Sequence, residues 1–229
     1  MINTTLIDAV PLFRHLSTER KRQIEFTSLA EQYEKGAVLF RQGQRAEAIW
    51  IIVEGWVHLV RSPDRSDGSR AVVIFTITPH EALCGISSID SGVYNLSAIA
   101  ATGCRAIRIP GELFREALRQ EPGFAYQALR LCARRIQHIA EQYGAMAEPV
   151  STRVVRTILR LAQQFGATLP VTHRELAQMS WTTTESAIRV VRRLKRHGIV
   201  TGTRGRLMIR KSKALEQALS HPNGQATAV

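Results

Sequence analysis

Residues 172–198 read THRELAQMSWTTTESAIRVVRRLKRHG, and the architecture of the chain can be worked outward from them. Thr172 followed three positions later by Glu175 has the form of a capping box, in which the threonine hydroxyl takes the N3 backbone N–H and the glutamate reaches back to the N-cap N–H. A short helix carrying Leu176, Ala177 and Met179 is predicted from there, and Ser180-Trp181-Thr182 ends it as a turn. The next pattern gathers Ala187, Val190, Val191 and Leu194 on one face and leaves Glu185, Arg189, Arg192, Arg193 and Arg196 largely outside it. Gly198 stops that helix. Val200-Thr201-Gly202-Thr203 and Leu207-Met208-Ile209 then read as a hairpin across Arg204-Gly205. Upstream, Val154, Val155, Ile158, Leu161 and Ala162 give a further helix that Phe165-Gly166 closes. Helix, turn, helix and basic hairpin in this order predict a winged helix-turn-helix.

Charge supports that reading. The chain carries a formal net charge of +12, and from Val150 onward fourteen Lys/Arg face only Glu175, Glu185 and Glu216, a local excess of +11 that leaves +1 for residues 1–149. Such asymmetry is the footprint of a phosphate-binding segment joined to a neutral one.

Preceding the hinge marked by Gly144 and Pro149, Ala125, Leu129, Cys132, Ile136, Ile139 and Tyr143 recur with spacings 4, 3, 4, 3, 4. This is a heptad a/d seam, and burying it needs a partner. Flanking Arg130, Arg134, Arg135 and Glu141 favour a two-helix coiled coil and a homodimer over packing on the chain's own strands. Cys132 fills volume in that seam.

Further upstream the pattern changes to short β-rich runs, among them residues 37–40, 48–53, 56–60, 71–75 and 98–100, separated by Gly36, Gly43, Gly55, Asp67-Gly68, Gly92 and Gly103. Regular short strands with turn signals predict an antiparallel roll or sandwich. The expected class is α+β. A β-roll domain spans 1–121, a dimerisation helix and hinge 122–148, a winged helix-turn-helix 149–219, and a frayed tail 220–229.

The 229 residues are 45% hydrophobic and contain three isolated cysteines, Cys84, Cys104 and Cys132. A zinc ribbon or four-cysteine cluster is excluded by that count, and cysteine usage suits a reducing cytoplasm. No apolar run approaches the roughly 20 residues of a membrane span, and residues 1–12 lack the pattern of a secretory leader. An enzyme is not expected either, since no His-x-His pair, Gly-x-Ser-x-Gly, phosphate loop or dinucleotide fingerprint occurs.

Taken in order, KGAVLFRQG (35–43), IWIIVEGWV (49–57), CARRIQ (132–137), ELAQM (175–179) and TTESAIR (183–189) resemble the Crp/Fnr family of bacterial transcription regulators. The resemblance covers roughly residues 10–215. It implies a cyclic-nucleotide-binding type of roll, a dimer helix, and a helix-turn-helix whose second helix enters the major groove. In the family's DNA-reading positions stand Thr184, Glu185, Ile188 and Arg189. The Glu-x-x-x-Arg pair matches, and arginine can bond guanine O6/N7 while glutamate accepts from cytosine N4. Thr182, Thr183, Ser186, Arg192, Arg204 and Arg206 are candidate phosphate contacts. Inverted-repeat duplex DNA, a second copy of the chain and RNA polymerase are the implied partners.

The resemblance also marks departures. Its effector pocket falls at Cys84, Gly85, Ile86, Ser87, Leu96, Ser97, Ile139 and Ala140, where the family's cyclic-nucleotide binders carry a ribose-binding glutamate, a phosphate-binding arginine and polar purine contacts. Leu96 stands at the arginine position, and Ile86 or Gly85 at the glutamate. A cyclic phosphate without its arginine loses the charge-assisted bonds that offset desolvation, so cyclic AMP is not expected to bind. Residues 1–35 hold no cysteine, which argues against the family's other sensor, an N-terminal iron–sulfur cluster. Haem remains compatible with His58, His80, Cys84 or His138 as ligand, giving a gas-responsive alternative. A non-specific, effector-free nucleoid-type binder is the other alternative.

Overall fold

The computed structural model describes residues 7–61, 72–83, 87, 89, 92–203 and 205–220, which fall into two compact units, 1–139 and 140–229. In the first, helix α1 (Thr18–Thr27) precedes strands β1 (Leu29–Tyr33), β2 (Val38–Phe40), β3 (Ala48–Glu54), β4 (Val57–Arg61), β5 (Val72–Ile77), β6 (Ala82–Leu83), β7 (Ser97–Ala100) and β8 (Cys104–Pro110). Helices α2 (Gly111–Gln120) and α3 (Pro122–Gly144) follow, the latter running on into the second unit.

Two antiparallel four-stranded sheets form, in the orders β1-β8-β3-β6 and β2-β7-β4-β5. β3 explains why. Its side chains alternate between faces, so Ile49 and Ile51 join Ile107, Ile109, Phe114 and Phe124 in one core, while Trp50 and Ile52 join Phe40, Leu59, Tyr94 and Ala106 in the other. A strand buried on both sides reads as a continuous apolar run rather than as an alternation. Gly55, at φ +72°, turns the chain from β3 to β4, and a Cβ there would lie 2.1 Å from the Gly103 carbonyl oxygen. Only glycine fits.

β1, β6, β8 and α2 were not anticipated as elements. β8 is the clearest case, because Arg105 and Arg108 interrupt its apolar residues. Arg105 pairs with Glu54 at 2.6 Å and Arg108 lies over the Trp50 ring, both across the β3–β8 register.

α3 carries two stripes. Phe124 and Ala128 are buried in the core beside α2, with Leu131 packed against it, and Phe124 stacks on Phe13 at 5.7 Å. Arg135 and His138 continue that stripe onto Phe75 of β5, and Arg135 donates to the Ala82 carbonyl at 2.6 Å. The predicted seam lies one residue round the helix. Leu129, Ile136, Ile139 and Tyr143 are 67, 66, 43 and 74% exposed, and Ala125 and Cys132 are half-buried. The seam is therefore not what packs α3 on its own roll.

The second unit holds α4 (Val150–Phe165), β9 (Thr168–Leu169), α5 (His173–Met179), α6 (Thr184–Arg196), β10 (Val200–Thr203), β11 (Arg206–Ile209) and α7 (Ser212–Ser220). Val154, Val155, Ile158 and Leu161 meet Leu176, Met179, Val191, Leu194, Leu207 and Leu215 in its buried set. The hairpin is three-stranded, since β9 pairs with β11. Residues 221–229 of the expected tail lie outside the described residues. No helix among the described residues is long and apolar enough to cross a membrane.

Candidate nucleic-acid interface

The candidate interface is built on α6, and its start is fixed by local chemistry. The predicted capping box is present on α5: the Thr172 N–H donates to Glu175 Oε2 at 2.7 Å and the Glu175 N–H to Thr172 Oγ1 at 3.2 Å. α6 begins on a cap of its own, with Thr183 accepting from the Ser186 N–H at 3.2 Å. Ala187, Val190, Val191 and Leu194 are buried. At 100° per residue the opposite ridge is Glu185, Arg189, Arg192 and Arg196, all exposed. Acid in the first turn and base in the last also suit the helix dipole.

Arg189 rests on the cap, its Nη2 donating to Ser186 Oγ at 3.0 Å, and Thr183 Oγ1 donates to the same oxygen at 3.1 Å. The hydroxyls of Thr183 and Ser186 thus serve the helix start. Thr182, Thr184 and Ile188 are half-buried on its flanks, and Arg206 is exposed on β11. Arg204 lies outside the described residues. A groove of about 650 Å³ follows α6, lined by Ser151, Arg189, Val190, Arg192, Arg193, Lys195 and Arg196. Burial first, then Lys195 and Arg192, hold the His173 imidazole below its usual pKa. Cations crowd this end of the helix without an acid among the groove's lining residues, as a polyanion-binding surface requires.

Comparison with known proteins agrees with this geometry. The cyclic nucleotide-binding domain family matches residues 30–121 and the Crp-like helix-turn-helix domain family residues 152–218. The Cyclic AMP receptor protein of Thermus thermophilus is 26% identical over 209 residues, spanning 90% of this chain and 95% of its own. The chain belongs to the Crp/Fnr family of transcriptional regulators. A CRP-like cAMP-activated global transcriptional regulator of Mycobacterium tuberculosis is 28% identical over 156 residues, 64% of this chain and 68% of its own. Among solved structures, a crp/fnr-family regulator from Eubacterium rectale superposes with TM-score 0.74 at 19% identity, covering 93% of this chain and 99% of that one. The c-di-GMP responsive global regulator CLP of Xanthomonas campestris gives 0.71 at 19%, covering 84% and 99%.

The effector-pocket positions expected from the sequence fall in the segment after β6, at the start of β7 and on α3. Cys84, Gly85 and Ile86 lie outside the described residues, and Ser87 is half-buried. Leu96 packs its alkyl group against the inter-sheet core, and Ser97 Oγ accepts the Gln42 N–H at 3.0 Å. Ile139 and Ala140 are exposed on α3. Leu96 offers a cyclic phosphate neither a charge nor a hydrogen-bond donor.

Of the candidate haem ligands, His58 is buried edge-on to Trp56 with its Nδ1 3.3 Å from Thr76 Oγ1, and His138 stacks on Phe75 at 5.6 Å. Both rings already pack within the roll. His80 is exposed, at φ 67°.

Two residues beneath the interface escaped the sequence reading. Trp181 adopts φ +50°, and its carbonyl accepts Arg153 Nη1 from α4 at 2.8 Å. The signal was available: a tight turn between two helices needs a left-handed residue, commonly glycine, and Ser180-Trp181-Thr182 contains none.

Proposed function

We propose that the chain acts in the cytoplasm as a homodimer that reads an inverted-repeat DNA site through Glu185 and Arg189. Its regulator is an effector other than cyclic AMP, or its own abundance, and at promoters its protein partner is RNA polymerase. One observation carries the DNA reading. The ridge Glu185, Arg189, Arg192 and Arg196 stands opposite the buried face of α6, so folding of the unit leaves it at the surface. Glu185 and Arg189 lie in the first turns, where a helix entering the major groove meets base edges, and the arginines beyond them suit phosphate.

The exposed stripe Leu129, Ile136, Ile139 and Tyr143 supports the dimer, because a second copy of α3 related by two-fold symmetry would bury it against itself. Two identical reading helices then lie about 34 Å apart on one side of the duplex. Their half-sites must mirror each other. The alkyl side chain of Leu96, where a phosphate-binding arginine would stand, and the apolar Ile139 and Ala140 support exclusion of cyclic AMP.

Binding-site selection on random duplexes tests the reading. A palindrome is expected, and Arg189→Ala should cost about 1 to 3 kcal/mol per half-site and relax selectivity at one symmetric G·C pair. Failure to recover a palindrome, or an unchanged motif with Arg189→Ala, would overturn it. Calorimetry with cyclic AMP should show no micromolar complex.

A further inference from the structure

The turn between α5 and α6 holds several unfavourable features in a few residues. Trp181 sits in the left-handed region, which a bulky side chain rarely adopts and glycine would occupy freely. Its indole Nε1 is buried without a hydrogen-bond partner, and so is Nε of Arg153. Buried unsatisfied donors and strained backbone are costs that a turn selected only for stability would shed.

The same residues are nevertheless tightly held. Arg153 Nη1 donates to the Trp181 carbonyl at 2.8 Å, which, leaving a left-handed residue, has no place in the ladder of either helix. The Arg153 carbonyl accepts Thr157 Oγ1 at 2.9 Å, and Ser180 Oγ donates to Thr157 Oγ1 at 3.0 Å, with Ser180 and Thr157 both buried. Just beyond, the Thr182 N–H donates to the Ala177 carbonyl at 3.0 Å. The peptide group that follows Trp181 is thereby tied at both ends, its carbonyl to α4 and its N–H to α5. Thr183, the cap of α6, comes two residues later.

We infer that Arg153 and Trp181 are positioning residues that set the aim of the reading helix, and so determine base selectivity without touching DNA. This rests on the assignment of α6 as the reading helix. α6 is a rod pivoting at the turn, and Arg189 lies about 9 Å along it from the Thr183 cap, so a swing of about 10° displaces its Cα by roughly 1.5 Å. A bidentate pair to a base does not survive that displacement. Phosphate contacts through long flexible arginines do.

The experiment compares, in the full chain, the affinity ratio between the selected palindrome and a scrambled duplex at fixed salt. Arg153→Met, which keeps the stem and removes the donor, should lower the ratio about tenfold, the worth of a charged hydrogen bond, and leave scrambled-duplex affinity and salt slope unchanged. Arg153→Lys should regain most of it. Trp181→Gly relieves the left-handed backbone, so it should melt no lower than the parent while still losing selectivity. That combination separates aim from stability even where Arg153→Met folds poorly. The inference fails if Trp181→Gly keeps the parental ratio, or if Arg153→Met weakens both duplexes equally. Arg189→Ala run alongside tells the two claims apart: an unchanged motif there overturns the reading helix itself, whereas a relaxed motif there with a parental ratio in Trp181→Gly overturns the positioning role alone.

Discussion

α3 and α6 are both two-faced helices, and they differ in the face that folding leaves over. Each spends one face on a core, Phe124, Ala128 and Leu131 in the first unit and Ala187, Val190, Val191 and Leu194 in the second. The remaining face of α3 is apolar, with Leu129, Ile136 and Tyr143 exposed, while that of α6 is Glu185 followed by Arg189, Arg192 and Arg196. The chemistry of the leftover face selects its occupant. An apolar stripe at heptad spacing gains most from a like helix. A cationic ridge gains most from displacing counterions on phosphate.

Four measurements would break or sharpen this contrast. The largest effect is expected on the outer face of α3, where Ile136→Glu would bury an unpaired charge in each half of the proposed dimer. A penalty of about 3 to 5 kcal/mol weakens association by two orders of magnitude or more. Sedimentation should then show monomer at concentrations where the parent is dimeric, with the chain still folded. The inner face behaves oppositely: Phe124→Ala should remove about 3 to 5 kcal/mol of unfolding free energy in a denaturant titration, while the folded fraction still dimerises. If Ile136→Glu remained dimeric and Phe124→Ala became monomeric, the two stripes would be wrongly assigned.

On α6 the expected effects are smaller and of another kind. Arg192→Ala should weaken every duplex alike and flatten the log–log salt dependence by about 2 for the dimer, one phosphate contact per protomer. A change in sequence preference would instead place Arg192 at a base. The smallest effect concerns pH. His173 titrates below its ordinary value because burial, Lys195 and Arg192 disfavour the imidazolium. Phosphate arriving at these cations offsets their repulsion, so the pKa is higher in the complex than in the free protein. A group whose pKa rises on binding takes up a proton. Affinity should therefore increase slightly as pH falls through the range just below the usual histidine value, and His173→Gln should remove that slope.

How legible these features were depends on how far apart their causes lie. The capping box at Thr172 and Glu175 and the buried face of α6 were readable because cap and periodicity operate within one or two turns of chain. Both appear as read. The heptad seam was readable as a seam, yet a helix of this length can carry two, and the periodicity could not say that the stripe beginning at Phe124 faces the roll while the one beginning at Ala125 stays exposed. The site was less legible than the helix bearing it. Thr183 and Ser186, read as phosphate contacts, also bond each other and the start of α6, a role the sequence reading did not assign.

By itself, then, the sequence determined the helix-turn-helix, the concentration of charge in the last third, the glycine-punctuated strands, and the lack of an arginine at Leu96. Each is written in neighbouring residues. Only the tertiary structure decided the rest. β8 is a strand because Ala106, Ile107 and Ile109 are buried between β1 and β3, while Arg105 meets Glu54 and Arg108 meets Trp50 across the sheet, about fifty residues away in each case. Trp181 is left-handed, and its carbonyl takes a bond from an arginine twenty-eight residues upstream. No local propensity predicts such partners, since side chains so far apart in sequence have no fixed relation until the chain has paid the entropy of bringing them together.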